Sequence, residues 1–578
     1  MSLSYRSVSA VLVAVALLLV GCATTSPSDP ATAPTTDSAT EPVPAPVIDH
    51  PPLDTLDFTP ERPPQAWFHM DADDDGYPGL STHRVHTTLL TDRAPERTVT
   101  VAVIDSGTDI AHSELEAQIW TNPDEEPNTG EDNDGNGFVD DVHGWNFIGN
   151  PDGEHVDEDT YEVTRLYVEY RSFAESLDDD ADLTPAQQDS LDYYETLRED
   201  FRAKRDDAEQ RYENVRQAHQ IVEQTLEFLR DYLEVDEVTP EHIAALADDT
   251  NPMAEQAYDV LTFFYDQGVT PQDIKDFYDR MHTQVNFGYD TSFDPRPIVG
   301  DDYTNWTETG YGNPDVHGPD PGHGTHVSGI IGAERDTSLT IDGIAPVVRI
   351  MPVRAVPNGD ERDKDVANAI RYAADNGADI INMSFGKGYS PQKHVVDDAV
   401  RYADSLGVLM VHAAGNSAEN NDASDNFPNP FYKEGHEEGD RATHWLEVGA
   451  SSWSVDETLA ANFSNYGAET VDVFAPGADI YSSTTGNDYR FNSGTSMAAP
   501  MVSGLAALLM AYYPDLDAET VRQIIKDSAV RYPDLEVERP NDDPDAPAEL
   551  VPFSDLSITG GIVNAYRAVE MAEEHVNE

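Results

Sequence analysis

The chain has 578 residues, and its 34 lysines and arginines face 110 aspartates and glutamates, a formal net charge of -76 at pH 7. Such a surface repels nucleic acid and anionic lipid headgroups and excludes both as partners. It fits a saline habitat, where a Debye length of about 3 Å at molar salt screens self-repulsion; an ordinary acidic secreted enzyme reliant on calcium is the other reading. Hydrophobic residues make up 39% of the chain, ample for a core, and one cysteine excludes an internal disulfide framework.

Arg6 is the only charge before an apolar run over residues 11–20, which closes in Leu19-Val20-Gly21-Cys22. The run is too short to span a bilayer as a stable helix, so residues 1–21 read as a secretory signal. Their ending resembles a bacterial lipobox, which implies cleavage before Cys22 and lipid (palmitate) on that cysteine. The alternative is an ordinary signal peptide cut a little later. Ala23 rather than aspartate follows Cys22, so an outer membrane or cell-surface location is expected over the inner membrane. Residues 22–63 are rich in Ala, Thr, Pro, Ser and Asp without hydrophobic periodicity, the composition of a disordered tether.

A first domain segment is expected over residues 64–153. Asp71, Asp73, Asp75 and Gly76 read as an acidic turn. Residues 101–104, Val-Ala-Val-Ile, form the short apolar run of a buried parallel strand. Asp105 stands at its carboxyl end, where catalytic groups gather in open α/β sheets. Further on, Asp132, Asp134, Asn136 and Asp140 place oxygens at alternate positions around Gly137, as at the start of an EF-hand loop. The twelfth position is His143, so a looser structural calcium loop is expected, against a plain acidic turn.

Residues 154–285 read as an all-α insertion. Thr184-Pro185, Thr239-Pro240 and Thr270-Pro271 share an N-cap threonine followed by proline at the first helical position. Gln187 completes a capping box at the first. Tyr194, Phe201, Ala208, Val215, Val222 and Leu229 then recur every seven residues, a coiled-coil-like seam on one helix over 184–234, about 75 Å long. The insertion reads as a substrate gate, an arm for a partner, a folding aid or a passive decoration.

The second part of the domain, residues 286–578, carries the remaining chemistry. His323 opens a stretch with Val327, Ile330 and Ile331 at helical spacing. Residues 380–385 and 408–414 read as buried strands, the latter running into Gly415-Asn416. Gly494-Thr495 precede Ser496, and residues 497–509 read as a small-residue helix. Ser496 thus stands at a helix amino end, where free N–H groups favour a developing oxyanion. Pro500 is tolerable only in the first turn or two. Residues 518–529 and 561–574 read as closing helices.

A hydroxyl becomes a nucleophile at neutral pH only when an imidazole takes its proton and a carboxylate fixes that imidazole. Asp105, His323 and Ser496, each in a short glycine-flanked motif and in that chain order, supply the three. With these motifs the chain resembles the subtilisin-like serine proteases, the subtilases. The resemblance implies an α/β, three-layer fold with a mostly parallel sheet flanked by helices, interrupted here by the insertion, and a serine endopeptidase acting on polypeptides. It assigns Asn416 an oxyanion role, Ser384, Phe385 and Gly386 a substrate-pairing edge, and Ala413, Ala414 and Gly415 the facing wall of the first specificity pocket. Compact family members separate the Asp and His motifs by only a few tens of residues. They also carry a folded pro-domain, for which about forty residues between tether and Asp105 are too few. A monomer is expected, with calcium structural and no cofactor in the chemistry. A catalytically idle binding protein using the helical insertion is the competing class; a maturation protease for one substrate is a third reading.

Overall fold

The computed structural model describes residues 62–177, 183–335, 340–432, 441–541 and 547–577. The expected signal peptide, Cys22 and the tether up to residue 61 lie outside the described residues. Among the described residues two compact units emerge, one holding Glu195–Asn286, the other running from Pro63 to Tyr194 and from Phe287 onward.

The larger unit is built on a twisted sheet whose strands are β1 (Val99–Asp105), β2 (Trp145–Asn146), β3 (Val348–Arg354), β4 (Ile380–Met383), β5 (Leu409–Ala413), β6 (Trp445–Ser451) and β7 (Val473–Pro476). Their spatial order is β7-β6-β5-β4-β1-β3-β2, all parallel. Two short strands, Gly561–Ile562 and Val530–Arg531, extend the β7 edge. Beside the sheet lies an antiparallel hairpin of β8 (Ile480–Thr484) and β9 (Asp488–Asn492).

Period-2 side-chain alternation explains the three layers. Val99, Val101 and Val103 of β1, with Leu409 and Val411 of β5, enter one core, shared with Leu505 and Leu508. Ala102, Ile104 and Met410 enter the other, shared with Val366 and Ile370 of the helix Asp363–Asp375 and Val400 of the helix Lys393–Ser405. Full burial of each valine, leucine, isoleucine or methionine among them contributes about 1.5–3 kcal/mol. The predicted α/β fold is what forms.

From β1 the chain crosses to β2 and β3 on one side, then to β4 on the other. The carboxyl ends of β1 and β4 therefore meet at a switch point, where open sheets form their clefts.

The helix Thr495–Tyr512 crosses beneath the sheet. Among the described residues it is also a helix long and apolar enough to cross a membrane, yet 94% of it is buried inside the protein. Its small residues allow close packing: a Cβ on Gly504 would meet Ile344 Cβ at 2.6 Å. At the carboxyl end of the chain, the expected helix over 561–574 begins later, at Ala565. Gly561 and Ile562 are used by the sheet, and Asn564 Oδ1 then accepts from Arg567 N at 3.0 Å and opens the helix.

The smaller unit holds most of one 49-residue helix, Pro185–Leu233, about 74 Å long. Its capping box forms as expected: Thr184 N donates to Gln187 Oε1 at 3.0 Å and Gln187 N to Thr184 Oγ1 at 3.3 Å. Val215, Val222 and Leu229 of the seven-residue stripe, with Leu226 beside them, bury against Ile243, Leu261, Phe264, Ile274 and Phe277, so that part of the seam closes within the chain. A further helix, Pro252–Tyr265, is capped by Asn251. The unit is shorter than the expected 154–285. Residues 154–194 belong with the sheet, because Asp159, Glu162 and Thr164 are buried there among its ion pairs and backbone.

Candidate active site

Asp105 ends β1 with its carboxylate 3% exposed. Asp105 Oδ1 accepts from Ser106 N at 2.7 Å and from His323 Nδ1 at 2.7 Å. His323 is the second residue of the helix Gly322–Gly332, which must come very close to β1 for this bond. Gly324 permits it: a Cβ there would lie 2.1 Å from Gly107 O and 3.1 Å from Asp105 Cβ. Burial disfavours the imidazolium, but the adjoining Asp105 carboxylate more than offsets it and raises the His323 pKa above its ordinary value. The bond on Nδ1 leaves Nε2 on the far edge of the ring, and the side chain is 39% exposed.

His326, one turn on, has a different role. It is fully buried, its Nε2 faces the carbonyls of Ile480 and Arg490 at 3.1 Å, and burial pushes its pKa down to about 3. It joins the helix to the hairpin.

Ser496 is the second residue of its helix. Its Oγ donates to the Ser384 carbonyl at 3.0 Å, the partner in this structure in place of His323. Pro500 falls in the second turn, as the sequence required. Having no N–H, it leaves the Ser496 carbonyl without its helical donor. Ser384 Oγ fills that vacancy at 2.9 Å. Asn382 Nδ2 donates to Ser384 Oγ at 2.9 Å, and Ser503 Oγ donates to Asn382 Oδ1 at 2.8 Å.

Asn416 reaches the same helix end. Its Oδ1 accepts from Thr495 N at 2.8 Å and Thr495 Oγ1 at 3.0 Å, which fixes the amide and aims Nδ2 away from them. A point one carbon off Gly494 lies 3.6 Å from both Asn416 Nδ2 and Ser496 N. Two N–H donors thus flank one spot beside Ser496.

The two expected substrate walls are bridged by a residue the sequence reading missed. Asn426 Nδ2 donates to Ala413 O at 3.1 Å and Ala414 O at 3.0 Å, while a Cβ on Gly386 would lie 2.4 Å from Asn426 Oδ1. Asn465 Oδ1 accepts from Ser417 N and Glu419 N and holds the loop after Asn416. Neither had a local signal, since an asparagine bonding backbone across the fold looks like any loop asparagine.

The acidic loop departs from the expected ligand set. Asp132 oxygens accept from the N–H groups of Gly135, Asn136 and Gly137, and Asp140 from Thr129 and Gly130, so both hold the loop's own backbone. Asn136 Nδ2 donates to Asp134 and Asp141, and its Oδ1 accepts from Phe138 N. The carboxylates brought together are Glu125, Asp134 and Asp141, each offering an oxygen within 4.8 Å of the others. Of the four expected ligands only Asp134 belongs to this group. Burial pushes the Asp141 carboxyl up to about 6. Three hard oxygen donors suit calcium chemically.

Residues 96–548 match the subtilase family. The chain belongs to the subtilase family. Over 189 residues it is 46% identical to a thermophilic serine proteinase of Bacillus sp. (strain AK1), covering 32% of this chain and 42% of that protein. Over 217 residues it is 35% identical to subtilisin DY of Bacillus licheniformis, covering 37% and 72%. Over 211 residues it is 35% identical to a cell wall-associated protease of Bacillus subtilis (strain 168), covering 36% and 21%. The chain therefore spans less than half the length of two of these relatives. The sheet ends bring together residues that the sequence motifs singled out: Asp105 with His323, and Asn416 beside Ser496.

Proposed function

We propose that this subtilase is a serine endopeptidase that cleaves polypeptides through an acyl-enzyme intermediate. The 2.7 Å hydrogen bond from His323 Nδ1 to Asp105 carries the reading, because it presents Nε2 as the free base of a charge-relay pair. The chemistry requires Ser496 Oγ to leave the Ser384 carbonyl and turn about χ1 to that nitrogen. Its proton passes to His323 Nε2 as Oγ attacks the peptide carbonyl carbon. Asn416 Nδ2 and Ser496 N donate to the oxyanion, one such donor contributing about 3–4 kcal/mol. Collapse breaks the C–N bond, and His323 returns the proton to the leaving amine. Water then hydrolyses the ester by the same route. The substrate backbone pairs with the edge Ser384–Phe385–Gly386.

Ser496 labelling by a fluorophosphonate, with Ser496→Ala as control, tests this. Equal labelling of the two sinks the enzymatic reading and leaves the idle binding protein. Peptide-library profiling then separates broad digestion from maturation of one substrate.

Leu19-Val20-Gly21-Cys22 supports a lipid anchor on Cys22 and an extracytoplasmic membrane surface as the site of action. Palmitate incorporation lost in Cys22→Ala tests it; incorporation unaffected by the substitution refutes it. Calcium is proposed as a structural cofactor held by Glu125, Asp134 and Asp141, where it would neutralise crowded carboxylates. A monomer acting alone, with the helical insertion open to a partner, completes the reading.

A further inference from the structure

Lys387 directly follows the edge Ser384–Gly386, and its side chain is 2% exposed. Its Nζ lies 2.9 Å from Glu162 Oε2, 2.8 Å from Asp363 Oδ1 and 2.7 Å from Glu361 O. Glu162 is 4% exposed in its side chain and opens the helix Glu162–Glu175. Arg165 of that helix grips it in turn, Nη2 to Oε2 at 2.7 Å and Nε to Oε1 at 3.2 Å. The Lys387 backbone is fixed as well, exchanging hydrogen bonds with Phe427 at 3.0 and 2.9 Å. At the other end of the edge, Ser384 is tied to Ser496 and Asn382. Three residues that offer their backbone to substrate are thus clamped at both ends.

Burying an ammonium and several carboxylates is costly before pairing, and a well-packed apolar set is often as stable. What charges add over apolar packing is a directional bond that sets where Lys387 sits. Glu162 also lies between the aspartate and histidine motifs, in the part of that stretch that packs with the sheet.

We propose that Glu162 is a positioning residue: by holding Lys387 it sets the alignment of the Ser384–Gly386 edge for extended peptide substrates. The proposal rests on the endopeptidase reading above. In it, the segment between Asp105 and His323 contributes to substrate alignment without touching substrate.

The test compares a blocked hexapeptide p-nitroanilide with p-nitrophenyl acetate, an ester too small to lie along the edge. Wild-type protein that turns over neither refutes the endopeptidase reading, a failure distinct from this one. In Glu162→Gln the expected result is a KM for the hexapeptide raised about fivefold or more, with its kcat and the ester rate held within about twofold. Backbone amides of residues 385–387 exchange hydrogen faster. A merely structural role lowers ester and peptide rates by the same factor, and that result overturns the proposal. So does a hexapeptide KM unchanged within about twofold. Should Glu162→Gln fail to fold, Glu162→Gln/Lys387→Met, neutral on both sides, takes the same assays with the same expected and overturning results.

Discussion

Ser384 and Ser496 are joined by two hydrogen bonds running in opposite directions. Ser496 Oγ donates to the Ser384 carbonyl at 3.0 Å, and Ser384 Oγ donates to the Ser496 carbonyl at 2.9 Å. The second bond exists because Pro500, four residues on, has no N–H to offer that carbonyl. A helix defect and a strand-end serine thereby become one joint between the sheet and the helix that carries Ser496.

Ser384→Ala leaves the Ser496 carbonyl without its donor at a site only 3% exposed at Ser384. The expected loss of stability is about 1–3 kcal/mol by urea unfolding. In a Pro500→Ala background the new N–H can donate to the same carbonyl, so Ser384→Ala costs less there. Equal costs in the two backgrounds contradict the joint.

His323 works as a base only when neutral, and the Asp105 carboxylate raises its pKa against the opposing effect of burial. The acid limb of kcat/KM is therefore expected above the ordinary imidazole value of about 6.5. Activity rises as pH climbs through it. The stability contribution has the opposite sense. It is fully present below the unfolded pKa and is lost as pH rises through the folded one. Asp105→Asn should move the limb downward and lower kcat by about 10⁴. A limb that stays where it was detaches Asp105 from His323.

Asn416→Ala removes one of two donors beside Ser496. Stopped assays should find kcat lower by about 10²–10³ with KM nearly unchanged. An equal effect on KM places the amide in ground-state binding instead.

Chelation bears on the carboxylate group. Glu125, Asp134 and Asp141 repel one another, so EDTA should lower Tm and calcium should restore it, with the response diminished in Glu125→Gln. A Tm indifferent to both removes calcium from the account.

Much of the site was legible before folding. A run such as Val101–Ile104 announces a strand through local composition, and the glycines beside His323 and Ser496 announce where the backbone must come close. The long helix was legible too, because its stripe and caps lie within a few residues of one another. The acidic loop was less legible: alternate oxygens suggested ligands, whereas Asp132 and Asp140 accept from the loop's own N–H groups. Glu125 and Asp141 join Asp134 through a fold the spacing does not encode.

Local sequence, then, determined the strands, the capped helices and the motifs that carry Asp105, His323 and Ser496, since each depends on propensities and motifs spanning a dozen residues or fewer. Tertiary structure alone decided that Asn426 braces both walls, that Ser384 answers the defect at Pro500, and that Glu162 meets Lys387. Those partners stand 225 residues apart in the last case, and only burial in a shared interior, where an unmet polar group is costly, selects them.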